Sequence, residues 1–161
     1  MEQTGKNADY TKRFSEYFER EVAQHAAKSI SDKSEIELQI IANDLVAAES
    51  LTFMKEGGKN LIHPRPAVDP HIIFKLTPSA ADEILADTST EIGPIGVNIM
   101  KLIISRDPSK KISFQIKAGI FTLITKGYFG VLTAGGGQFM AFLASKGING
   151  IGAIKAALKK K

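Results

Sequence analysis

Three histidines, His25, His63 and His71, are the side chains in this sequence best suited to move protons or hold a metal near neutral pH. None stands in an H-x-x-x-H pair or beside carboxylates at ligand spacing, so no metal centre is expected. His25 falls on a helix flank, His63 precedes Pro64 in a turn, and His71 is read as a sheet-edge residue. Ser79, Ser105 and Ser113 lack a G-x-S-x-G setting and a histidine nearby in sequence, which makes them caps and solvated hydroxyls rather than nucleophiles. Cysteine is absent, which removes thiolate chemistry, disulfides and the common zinc sites. Gly135-Gly136-Gly137 and the run from Gly147 to Gly152 lack the Lys-Ser/Thr of a phosphate loop and read as helix breaks. Asp82, Glu83, Asp87 and Glu91 form an acidic patch, the first two placed near a helix start where the macrodipole favours anions. Neither catalysis nor a cofactor is expected.

The elements that would position these residues alternate between helix and strand. Tyr10, Phe14, Tyr17, Phe18, Val22, Ala26 and Ile30 fall at three- and four-residue steps and predict one amphipathic helix over 10–30. From Glu35 the period drops to two. Ile36, Leu38 and Ile40 alternate with Glu37 and Gln39, favouring a strand although the stretch to Ala48 also fits a helix. Leu51-Thr52-Phe53-Met54-Lys55 predicts a second strand, and Gly57-Gly58 supplies the turn into a return through Leu61 and Ile62. Pro64, Pro66 and Pro70 make His63 to Pro70 an extended connector. Ile72, Phe74 and Leu76 share a strand face, after which Thr77-Pro78 provides an N-cap and a preset first residue for a helix over Pro78–Ala86.

Asp87 to Pro94 reads as a linker, and Ile95, Ile99, Leu102 and Ile103 mark an apolar helix that ends before Pro108. In the strand Ile112–Ala118, Ile112, Phe114, Ile116 and Ala118 face one way, while Ser113, Gln115 and Lys117 leave the other face wet. Ile120, Leu123, Ile124, Tyr128, Val131 and Leu132 keep one helical period up to the glycine triplet. Shorter apolar pieces follow over Gln138–Lys146 and Gly152–Lys159.

With 161 residues, 43% of them hydrophobic and 24% charged, the chain can bury a core without staples, which excludes wholesale disorder and a polytopic membrane protein. The net charge of +4 hides an asymmetry: Asp107 is the last acid, and nine lysines follow it. Such a basic third attracts lipid headgroups or nucleic acid phosphates. The aromatics Phe121, Tyr128, Phe129, Phe139 and Phe142 lie in apolar segments rather than among the lysines, so nucleic acid is not expected. The first residues run polar to Tyr10 without a secretory layout, which points to a cytoplasmic protein.

The order of these elements resembles the sterol carrier protein type 2 family. The resemblance is carried by Tyr17-Phe18-Glu19 in the opening helix, the Gly57-Gly58 hairpin, Asp69-Pro70-His71-Ile72-Ile73-Phe74-Lys75-Leu76-Thr77 before a short helix, and Lys111-Ile112-Ser113-Phe114-Gln115-Ile116-Lys117-Ala118-Gly119 before an apolar helix. It covers roughly residues 12–134. It implies an α+β fold, a small mostly antiparallel sheet with helices on one face that enclose an apolar tunnel for fatty-acyl chains, sterols or phospholipids. Carried over, Ile84, Leu85, Ile95, Ile99, Met100 and Ile103 would line the tunnel from two helices, Phe121, Leu123 and Ile124 from the last one, and Phe74, Phe114 and Ile116 from the sheet. Residues 1–134 would form this lipid-binding domain, and 135–161 a glycine-rich, basic, apolar helical tail that the family does not supply.

Nineteen residues between Lys126 and Lys146 carry no charge, a length that could span a bilayer, but five of them are glycine and would leave backbone groups unpaired in lipid. Two short helices that cover the cavity or lie on a membrane surface are expected instead, with Lys146, Lys155, Lys159, Lys160 and Lys161 reaching anionic headgroups. The functional expectation is non-catalytic binding and carriage of a lipid-like ligand. The alternative is an assembly or membrane-associated subunit whose basic apolar end docks on a protein partner, a second copy of the chain, or an anionic bilayer.

Overall fold

A computed structural model describes residues 2–43, 46–134, Ala141 and Ser145. In chain order the elements are α1 (Glu2–Glu19), α2 (Glu21–Ala26), β1 (Glu35–Asn43), β2 (Val46–Glu56), β3 (Lys59–His63), β4 (Ile72–Leu76), α3 (Pro78–Ala86), α4 (Ile92–Ile103), β5 (Ile112–Ile116), α5 (Ile120–Thr125) and α6 (Tyr128–Ala134). The glycine triplet at 135–137 and the five tail lysines, Lys146, Lys155, Lys159, Lys160 and Lys161, lie outside the described residues.

The fold is α+β. Five strands form one sheet in the order β3-β2-β1-β4-β5, antiparallel at every junction except the parallel β1–β4 pair. Because side chains alternate along a strand, pairing register decides which residues share a face. Here it aligns apolar rows across the sheet. Ile62, Phe53, Ile36, Ile72 and Ile116 make one, Leu51, Leu38, Phe74 and Phe114 the next, and Leu76 with Ile112 lies beside Ile40 in the third. All the helices that contribute to the core pack on this face.

The opposite face carries Glu35, Glu37, Gln39 and Thr52, and the proline connector crosses it because β3 and β4 are separated by two strands. That crossing explains two buried carboxylates. Glu35 Oε1 accepts hydrogen bonds from the backbone N–H groups of Val68 (3.0 Å) and Asp69 (2.8 Å), and Glu37 Oε1 from that of Ala67 (3.1 Å). Thr52 donates to the Arg65 carbonyl at 2.7 Å. Prolines 64, 66 and 70 bring no donors; the sheet's acids satisfy the N–H groups of Ala67, Val68 and Asp69, while that of Arg65 donates to the His63 carbonyl.

The helical stretch expected over 10–30 is divided. Arg20 is extended, and its guanidinium donates to the Asp87 and Ser89 carbonyls, each at 2.7 Å, while lying over the Tyr17 ring. From the sheet, the buried Asn60 amide donates to the carbonyls of Phe18 (3.0 Å) and Ala23 (3.2 Å), on either side of the break. The period over 120–132 is also interrupted. Gly127, at φ +88°, separates α5 from α6, and a Cβ there would run into the Ser29 carbonyl. The other departures are small: α4 begins at Ile92, which shortens the linker, and β5 ends at Ile116. Thr77 caps α3 as expected, accepting from the Ala80 N–H at 3.2 Å with Pro78 in the first turn.

Candidate functional site

Burial along the apolar sheet face is uneven. Under α1 and α3 the face is closed: Tyr10, Phe14 and Tyr17 from α1 and Ala80, Ala81 and Ile84 from α3 cover Leu38, Ile40, Leu51 and Leu76, all buried. A second cluster holds Ala27, Ile30, Phe53, Leu123 and Tyr128. Beside these clusters, Ile36, Ile72, Phe74, Phe114 and Ile116 remain only half-buried, although Phe53 and Leu38, the register neighbours of Ile36 and Phe74, are closed over. Phe74 and Phe114 face each other across β4 and β5 with ring centroids 5.9 Å apart. Above them α4 packs on β5 and presents Ile95, Ile99, Met100 and Ile103, likewise half-buried. Partly buried apolar side chains thus form a strip across β1, β4 and β5, next to α4.

The residues expected to line a tunnel therefore divide. Phe74, Leu85, Ile99 and Ile103 border the first cluster and Ile116 the second, all partly open. Ile84 and Leu123 are core residues. Phe121 and Ile124 point outward, 77% and 42% exposed. The strip is apolar; a depression among the described residues lies elsewhere and is charged. It is an open cleft of about 830 Å³ lined by Asp32, Lys33, Glu35, Glu56, Asp69, His71 and Lys126, with Met54, Gly57 and Val68.

His71 sits just before β4, an interior strand, and so is not at a sheet edge. Its Nδ1 lies 2.7 Å from the Tyr128 hydroxyl, and the rings meet edge-to-face at 5.4 Å. Desolvation lowers the His71 pKa, opposed by Asp69 and Glu35 and assisted by Lys126. The same burial pushes the Tyr128 hydroxyl up to about 12. This contact, the Ser31 N–H to Lys126 carbonyl bond (2.9 Å) and the Ser29 hydroxyl to Gly127 carbonyl bond (2.7 Å) seat α5 and α6 on the sheet. His63 instead pairs with Glu56 at 3.2 Å, and His25 is exposed on α2. Among the described residues, no group of three histidines or carboxylates is arranged to hold a metal.

Some contributors had no signal in the sequence. Lys55 is buried on the apolar face and donates to the Ala27 carbonyl at 2.5 Å, where a cation suits the C-terminus of α2. Desolvation lowers its pKa, against the attraction of Asp32. Asp82 and Glu83 fall past the first turn of α3 and serve tertiary contacts: Tyr10 and Arg13 reach Asp82 at 3.0 and 3.2 Å, and Lys110 pairs with Glu83 at 3.0 Å.

No family model matches the chain, and no curated protein matches it. A solved structure described as "UbiJ-SCP2 Ubiquinone synthesis protein" is similar, with a TM-score of 0.45 and 11% sequence identity over 83% of this chain and 99% of that one. At this distance nothing about that protein's ligand transfers to the side chains here. Among the described residues no helix is long and apolar enough to cross a membrane.

Proposed function

We propose that this protein binds a long apolar ligand of the fatty-acyl, sterol or phospholipid class, without transforming it, along the strip next to α4. One observation carries the reading: Ile36, Ile72, Phe74, Phe114 and Ile116 form a continuous apolar floor that the helices leave half-open, beside Ile95, Ile99 and Ile103 on α4. A folded domain normally closes such a surface, because burying a large apolar side chain contributes about 1.5–3 kcal/mol. An acyl chain or sterol laid along the floor would recover that energy, and aromatic and branched side chains are the lining such ligands meet. The absence of a nucleophile setting in the sequence favours holding over reacting.

A displaceable fluorescent fatty-acid probe tests this. The protein is expected to bind it saturably near 1:1, and Ile99→Asp is expected to weaken binding by about tenfold or more while leaving the fold in place, since Ile99 is only half-buried. No saturable binding by any acyl lipid or sterol removes the reading. Equal loss of binding and of thermal stability makes Ile99 an ordinary packing residue.

A further inference from the structure

A short helix normally turns its apolar side inward, yet α5 carries apolar residues on two sides. Leu123 is buried in the second cluster, while Phe121 and Ile124, three residues apart and hence neighbours on the helix surface, are exposed. The outward side cannot simply roll under. Gly127 is wedged against the Ser29 carbonyl, the Lys126 carbonyl accepts from Ser31, and Tyr128 is held by His71, so the register of α5 on the sheet is pinned just beyond its last turn. A phenyl ring is thus displayed to solvent by a rigid mount.

Charge indicates what would cover it. From Pro108 to the last residue the sequence has nine lysines and no acid; among the described residues Lys110 pairs with Glu83 and Lys111 donates to the Ile103 and Ser105 carbonyls, while Lys117, just ahead of α5, is exposed and Lys126 follows its last turn. The cleft at the Lys126 end does contain acids, of which three have partners within the fold while Asp69 is exposed. Glu35 holds the connector and Arg65, Glu56 pairs with His63, and Asp32 accepts from the Gly58 N–H at 3.2 Å. An apolar face set in a purely cationic stretch of chain complements an anionic bilayer, whose headgroups attract lysines and whose acyl boundary accepts aromatic and branched side chains.

We infer that the Phe121–Ile124 face of α5 docks on an anionic membrane surface, with the two side chains entering the headgroup–acyl boundary and lysines engaging the headgroups. This stands apart from the ligand strip, because these side chains point away from it.

The full-length chain, its Phe121→Ser/Ile124→Ser double variant and a Phe121→Trp variant are compared by co-sedimentation with vesicles of phosphatidylcholine alone or doped with phosphatidylglycerol. The parent is expected to bind the doped vesicles in preference, and less at high salt. The double variant should lose about tenfold or more of that binding, as removal of inserted apolar area predicts. Since the chain has no other tryptophan, Phe121→Trp reports directly: its emission should shift to the blue with doped vesicles. Fatty-acid probe binding, measured without vesicles, should be unchanged in the double variant, which keeps this inference separate from the ligand reading. Equal binding of parent and double variant, no preference for the doped vesicles, or no spectral shift would overturn the docking. Loss of probe binding in the double variant would return the face to the ligand site, and a parent dimer that the double variant splits would show that a second copy covers it.

Discussion

One sheet face in this molecule is used in two ways. Under α1 and α3 the face is sealed: α1 lays down Tyr10, Phe14, Tyr17 and Phe18 in ring contact at centroid distances of 5.2–6.4 Å, α3 comes close through Ala80 and Ala81, and Leu38, Ile40, Leu51, Leu76 and Ile112 are buried. Elsewhere on the same face Ile36, Ile72, Phe74, Phe114 and Ile116 are just as apolar but only partly buried. The difference lies in the cover and not in the strands. Residues of the same type in the same register rows become solid core in one place and a partly open lining in another, according to what packs above them.

The sharpest way to break this comparison is to truncate one residue in each half. Phe14→Ala should cost about 3–5 kcal/mol in guanidinium unfolding, the usual range for a fully buried phenylalanine, whereas Phe114→Ala should cost about 1–2 kcal/mol less because part of its surface already meets water. Equal losses would mean that both halves are packed alike and that the strip is not a distinct surface.

A smaller effect is expected at the mount of α5 and α6. Gly127→Ala forces a side chain into left-handed backbone and against the Ser29 carbonyl, and should cost roughly 2–3 kcal/mol. Hydrogen exchange would locate the damage. Faster exchange confined to 120–134, with α1 and α3 unchanged, is the expected pattern, and uniform acceleration would show that the two halves unfold as one unit.

The smallest effect is the pH response of His71. Its folded pKa is lowered below the ordinary 6.5, first by desolvation, so between the two values the unfolded chain binds the proton that the native chain refuses. Stability from neutral His71 is therefore complete above about pH 6.5 and is lost as pH falls through the lower folded value. Asp69, Glu35 and Lys126 set how far below that is. His71→Asn should flatten the stability profile in this window, and a slope that persists in the variant would place the proton uptake on another group.

Most of the backbone plan was legible in local patterning. The alternation of Ile36, Leu38 and Ile40, of Ile72, Phe74 and Leu76, and of Ile112, Phe114 and Ile116 marked three strands, because a two-residue period places every apolar side chain on one face whatever lies opposite. The Gly57-Gly58 hairpin and the Thr77-Pro78 cap were equally readable, since turn and cap chemistry is confined to a few adjacent residues. The two helix breaks were not. Arg20 and Gly127 interrupt periodic stretches because of partners 40 to 98 positions away, Asn60 for one and Ser29 for the other. Such partners leave no mark on a local period.

For the candidate site, sequence alone settled composition: which residues are apolar, that they alternate along the strands, and that every charge after Asp107 is positive. Tertiary structure decided exposure. It sorted one predicted set into core (Ile84, Leu123), half-open strip (Phe74, Ile99, Phe114, Ile116) and outward face (Phe121, Ile124). It also made Glu35, Glu37 and Lys55 buried anchors for a connector and a helix end. The physical reason is common to both: hydropathy belongs to a side chain, but burial belongs to the pair of surfaces that meet, and the second surface is brought by a part of the chain far away in sequence.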